Sequence, residues 1–303
     1  MDDGWKDAFR HAVTQADKKG LEFAIAASPG WSETGGPWVK PADAMKKLVW
    51  SETVVPGGKR FAGALPAVPD EAGPFQNVRM FDFMAAAGGM EPIKLPRASG
   101  MVTVLAVPAS VSLAPPRITT TGGTGLDAAL LTDTDLESTV DVPVGSAEAP
   151  EGMVFDFGKP VSARAVTFFM PHAKMPFTGS IFKPVLEVEG AGGWSKLGDL
   201  PLGEAATTIS FAPITAQRFR ILMAPNSGNI PAGLGGGAPG AESFDVFSRP
   251  KPSSIKVGHV AFSADARVSL GEVKAGYDIT NNYLDIADRG TTPGINPAQV
   301  VDL

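Results

Sequence analysis

The sequence predicts a multidomain, mainly β chain of the α+β class. A small αβα segment of an incomplete (β/α) barrel comes first, and an antiparallel β-sandwich follows it. Three observations lead there. Helical periodicity is confined to about the first fifty residues. From Val54 onward, short runs bearing Val, Thr and Phe are separated by Gly/Pro turns, with no helical pattern between them. Most of the 35 Gly and 27 Pro fall in that later part. The resulting division is residues 1–54 as the partial barrel segment, 55–115 as connecting strands, 116–250 as the sandwich and 251–303 as a return segment towards the barrel.

Residues 3–19 read as a helix. Trp5, Ala8, Phe9, Ala12, Val13 and Ala16 recur at three- and four-residue spacing and make one apolar stripe. Asp2 and Asp3 suit its N-terminus, Lys18 and Lys19 its C-terminus, and Gly20 the position just beyond. Leu21–Ala27 follows as a nearly continuous apolar run, read as a strand covered on both faces. The loop Ser28–Lys40 holds Pro29-Gly30-Trp31-Ser32 and Gly35-Gly36-Pro37-Trp38 at the strand's carboxyl end, where open α/β sheets and barrels place ligands. Pro41 then opens a second helix, with Ala44, Met45, Leu48 and Val49 facing inward.

The sandwich strands are predicted at Val78–Ala85, Met101–Val107, Met153–Phe157, Ala165–Met170, Val185–Val188, Thr207–Phe211, Arg218–Met223, Ser243–Ser248 and Val257–Phe262. Ala224–Ala241 is too rich in Gly and Pro to pack and reads as an exposed loop. One strand and two helices cannot bury themselves, since a barrel needs eight such units. The first segment therefore either docks on the sandwich or belongs to a longer polypeptide. The helical start and the ending Val300-Val301-Asp302-Leu303 favour a fragment.

Composition narrows the function. Charged residues make up 19% and the net charge is −6, with no basic cluster to neutralise phosphates, so nucleic acid is not an expected partner. There is no apolar run of roughly 18 residues, so no membrane helix is expected, and no signal peptide precedes the first helix. The absence of Cys excludes disulfides, thiolate metal sites and a Cys nucleophile. His11, His172 and His259 are too scattered for a zinc site, and no Gly-x-Ser-x-Gly elbow or phosphate-binding loop occurs.

Pro29-Gly30-Trp31-Ser32, Gly35-Gly36-Pro37-Trp38, Pro41, Met45 and Val49-Trp50-Ser51-Glu52 resemble glycoside hydrolase family 106, the α-L-rhamnosidases. Asp133-Thr134-Asp135 and Phe155-Asp156-Phe157-Gly158 with Pro160 are similar to the sandwich inserted in that family, itself galactose-binding-like (discoidin-like). Glu272–Tyr277 and Ile295–Leu303 extend the likeness. The resemblance implies a barrel interrupted by β-sandwich material, and inverting hydrolysis by two carboxylates, assisted by calcium. It also implies a rhamnose-containing oligo- or polysaccharide as partner and a periplasmic or secreted location. In such proteins the catalytic carboxylates lie in a continuation of the chain, and no motif here matches them, so this chain alone is expected to be inactive. The alternative is a non-catalytic carbohydrate-binding or structural β-sandwich module.

Several residues carry the candidate chemistry. An inverting glycosidase sets its acid and base roughly 6.5–9.5 Å apart. Glu33, in the loop, and Glu52, at the exit to the sandwich, are the candidate carboxylates; the plainer readings are a solvated loop acid for Glu33 and a structural hydrogen bond for Glu52. Trp31 and Trp38 either stack on a sugar face or plug a barrel mouth or domain interface, and Ser32 either donates to a sugar hydroxyl or forms a turn. Asp133 and Asp135 are candidate calcium ligands, although the same pattern also tightens turns.

Overall fold

The computed structural model describes residues 2–25, 38–44, 46–67, 97–133, 135–171, 173–175, 179–180, 182–203, 205–225, 253–277 and 296–303. The chain divides into two compact units, one of residues 1–45 and 96–100, the other of residues 46–95 and 101–303.

In the first unit, α1 (Asp3–Lys18) forms where the apolar stripe and its caps predict it. The Asp2 side chain accepts the Trp5 N–H and satisfies one donor of the first turn. Gly20 adopts φ +65°, and the Gly20 and Leu21 N–H groups bond back to the Asp17 and Ala16 carbonyls, the paired bonds of a Schellman stop. Phe9 stacks on Trp5 at 5.4 Å and meets the edge of Phe23 at 5.6 Å, so the stripe gathers a small aromatic cluster. The expected strand is not formed over its described part. Leu21–Ile25 pairs with no other strand among the described residues, and Leu21, Phe23 and Ile25 are 62%, 42% and 65% exposed. A strand needs neighbours to take its backbone hydrogen bonds, and none is supplied among the described residues. The second helix is likewise a single turn at Pro41–Ala44, closed by Asp43 and Ala44 N–H to the Lys40 carbonyl. Ala44 and Leu48 are exposed and Val49 is half-buried; Met45 lies outside the described residues.

The second unit is built on two antiparallel sheets with one core between them. The larger sheet joins β2 (Arg117–Thr120), β4 (Glu151–Phe169), β7 (Phe182–Gly190), β8 (Gly193–Asp199), β9 (Thr207–Pro225) and β11 (His259–Ser263) in the order β11-β4-β9-β7-β8. β2 pairs with the first part of β4 and β11 with its last part, so both lie along one edge of that long strand. The smaller sheet pairs β3 (Val140–Pro143) with β10 (Ser254–Val257), and a separate short ladder pairs β5 (Lys174–Met175) with β6 (Gly179–Ser180). Val140, Val142, Ile255 and Val257 of the small sheet share a cluster with Met153, Phe155, Val166, Phe168, Leu186, Ile221 and Met223 of the large one. Phe155, Phe157, Phe219 and Phe262 add a ring cluster with centroids 5.1–6.1 Å apart. The predicted mainly β, antiparallel character is therefore what the chain adopts.

Four of the predicted strands merge into two. Met153–Phe157 and Ala165–Met170 belong to β4, and Thr207–Phe211 and Arg218–Met223 to β9. The Gly158-Lys159-Pro160 and Ala212-Pro213 breaks read as turns but are accommodated as bulges, where the register shifts between Asp156/Val161 and Ala163/Ala165. Val257–Phe262 does the opposite and splits at Gly258 into β10 and β11. A Cβ at Gly258 would lie 2.8 Å from the Leu136 carbonyl oxygen, so the crossing needs glycine. Met101–Val107 contracts to β1 (Leu105–Ala106), which pairs with β12 (Val301–Asp302). Val78–Ala85 and Ser243–Ser248 lie outside the described residues, as does Ala224–Ala241 beyond Pro225.

Candidate functional site

The residues 264–277 form a strap beside the first half of β9. The Leu270 N–H bonds to the Thr208 carbonyl, the Arg267 N–H to Ser210 Oγ, and Ser210 Oγ to the Arg267 carbonyl. The short helix α2 (Gly271–Lys274) then turns Glu272 inward. Its carboxylate accepts the Thr208 N–H at 3.1 Å and the Thr208 hydroxyl at 2.6 Å, and that hydroxyl lies 2.8 Å from the Thr167 hydroxyl. Burial raises the Glu272 pKa above its ordinary value of 4.5, against the lowering effect of the Thr208 bonds and of nearby Arg267.

The strap also holds residues 47–52. The Leu48 N–H donates to the Ala275 carbonyl, Trp50 meets the edge of buried Tyr277 at 6.2 Å, and Lys47 Nζ lies 5.2 Å above the same ring. Glu52 forms an ion pair with Arg267 at 2.5 Å, both side chains about half exposed. Asp265 accepts the Ser110 N–H and hydroxyl, at 3.0–3.1 Å and 2.7 Å. Two separate pieces of chain are thus fastened to the sandwich through residues 264–277.

Glu33, Trp31 and Ser32 lie outside the described residues. Trp38 is 71% exposed, open to solvent in its own unit. Glu52 carries the structural contact just given. Asp133 Oδ1 accepts the Asp135 N–H, while Asp135 accepts the Glu137 N–H and the Ser138 hydroxyl, so both carboxylates fold back on their own turn. No group of three acids or histidines able to hold a metal occurs among the described residues. Calcium takes six to eight oxygens, and this pair alone does not fit it. His259, on β11, lies against Asp133, and burial lowers its pKa. Its Nδ1 has no hydrogen-bond partner among the described residues.

Sequence reasoning missed the outer face of the large sheet. Register places Arg117, Asp156, Arg218, Glu189 and Trp194 in one row across β2, β4, β9, β7 and β8. Arg220, Glu187 and Lys196 continue the next row. Arg218 donates to both Glu189 oxygens at 2.9 and 3.1 Å, and Arg220 pairs with Glu187. Both guanidinium groups lie over Trp194, at 5.5 and 4.5 Å. The signal was present in Glu187-Val-Glu189 and Arg218-Phe-Arg220, where charge alternates at the strand period.

Comparison with known proteins places the chain among the glycoside hydrolases. A solved rhamnosidase from Novosphingobium sp. PP1Y matches it with a TM-score of 0.66 and 34% identity, over 100% of this chain and 25% of that one. The chain belongs to glycoside hydrolase family 106, alpha-L-rhamnosidase, which matches residues 1–303. A putative beta-glucuronidase of Formosa agariphila is 32% identical over 83 residues, 27% of this chain and 7% of that protein. The chain therefore spans a small part of the relatives it matches.

Proposed function

We propose that the chain is part of an α-L-rhamnosidase that hydrolyses terminal rhamnosides with inversion, and that the two catalytic carboxylates lie outside this chain. The single observation supporting this is the family match over the whole chain, set beside the use that the described acids already have. Glu52 is bound to Arg267, Glu272 to Thr208, Glu187 and Glu189 to Arg220 and Arg218. Each is fixed by a structural partner, where an acid and base must face a substrate across a gap. Calcium, a rhamnose-containing saccharide and a location outside the cytoplasm belong to the same reading and rest on the family. Trp31, Ser32 and Trp38 remain the proposed sugar contacts.

A polypeptide extended past Leu303 and given an α-L-rhamnoside should release β-L-rhamnose first, followed by NMR of the anomeric proton. First release of the α anomer contradicts inversion.

The other reading is a non-catalytic module, a brace or sugar-binding sandwich within such an enzyme. The strap at 264–277, which fastens both 47–52 and Ser110, favours the brace. Titration with rhamnose-containing oligosaccharides separates the two roles: no binding, with or without calcium, leaves the brace alone.

A further inference from the structure

We propose that a depression on the outer face of the large sheet binds the carboxylate of an acidic sugar. The depression holds about 220 Å³ and is lined by Arg117, Thr119, Gly123, Val154, Asp156 and Arg218. Its polar groups differ in how fully they are used. Asp156 Oδ1 accepts the Gly158 N–H at 2.8 Å and Gln217 Nε2 at 3.0 Å, which fixes that carboxylate as part of the wall. Arg218 is held by Glu189 from the far side, and its Nε lies buried 3.8 Å from Asp156 Oδ2 with no hydrogen bond. Arg117 is exposed on β2, which pairs with β4, and no group among the described residues hydrogen-bonds it. Arg117 stands across from Asp156 and helps to lower that carboxylate's pKa, but its planar fork makes no hydrogen bond among the described residues and keeps the geometry that receives a carboxylate through two parallel bonds.

The rest of the lining suits a sugar ring better than a bare anion. The Thr119 hydroxyl offers a donor and an acceptor, and Val154, 8% exposed, gives an apolar floor for a C–H face. Trp194 cannot serve as the stacking platform, because Arg218 and Arg220 already cover it. The sugar half of this proposal rests on the glycosidase reading above; the carboxylate half does not.

The test is an NMR titration of the isotopically labelled 303-residue chain with D-galacturonic acid, D-galactose and acetate in parallel. Galacturonate should give saturable shifts at Arg117, Thr119 and Arg218, and galactose should not. Arg117→Ala should weaken galacturonate binding about fivefold or more, as expected for one charge-assisted contact at a surface. Arg117→Lys should restore part of it, because the charge stays while the fork is lost. Unchanged melting of both variants keeps the comparison valid, Arg117 being exposed. Galacturonate that does not bind, or binds Arg117→Ala equally well, overturns the proposal. Acetate binding as tightly as galacturonate overturns its sugar half, without bearing on rhamnoside hydrolysis.

Discussion

At Glu272 a buried carboxylate meets both the N–H and the hydroxyl of Thr208. Because burial raises its pKa in the folded chain, the native state binds its proton more tightly than the unfolded state does. Its contribution therefore opposes folding as pH rises from 4.5 through the raised folded value, and that cost is absent below 4.5. Glu272→Gln should remove this fall and leave neutral-pH stability the same or higher. The amide oxygen can keep the Thr208 N–H, while its NH₂ donates to the Thr208 hydroxyl, which turns to Thr167. Glu272→Ala leaves the buried Thr208 N–H without an acceptor and should cost about 1–3 kcal/mol. Urea unfolding across pH 4–8 checks both; a Gln variant with the parental pH slope would show that Glu272 is not the group responsible. Breaking the exposed Glu52–Arg267 pair with Arg267→Ala should cost less than about 1 kcal/mol in the same assay. A larger loss would mean that the strap depends on that pair.

Among the elements, β4 and β9 run side by side for 19 residues each and carry the sandwich. Gly152 sits where the β9 backbone comes close, and a Cβ there would fall 1.9 Å from the Ile221 carbonyl oxygen. Gly152→Ala should destabilise by about 1–3 kcal/mol through overpacking. Gly192→Ala, with nothing within 4 Å of its Cβ, should stay within about 0.5 kcal/mol. Thermal melts of the pair decide, and equal melting points would contradict the close approach. Phe219→Ala, at a fully buried β9 side chain within the ring cluster, should cost about 3–5 kcal/mol. These elements also show what the sequence could tell. α1 was legible because stripe, Asp2 cap and Gly20 stop are all local signals. The apolar cores of β4, β7 and β9 were legible from their composition. The joining of strands across Gly158 and Pro213 was not, since a bulge and a turn use the same residues and the partner strand's register selects between them. Leu21–Ile25 failed for the converse reason: an apolar run states a preference for pairing and cannot supply the neighbour.

For the whole molecule, the mainly β antiparallel architecture and the glycoside hydrolase family were both readable, the first from turn spacing and the second from the Trp/Gly loop and its following residues. The candidate site was much less readable. Its loop members Trp31, Ser32 and Glu33 lie outside the described residues, Glu52 proves to be a strap contact, and Asp133 and Asp135 close their own turn. Acidic residues look alike in sequence whether they catalyse or brace, and their partners are set by distant segments such as 264–277. The central claim is that catalysis needs carboxylates from outside this chain. Hydrolysis of an aryl α-L-rhamnoside, measured side by side for the 303-residue chain and for a polypeptide extended past Leu303, tests it most directly. The extended polypeptide should release the aryl group and the chain alone none above the blank; equal release by both would contradict a catalytic pair outside the chain.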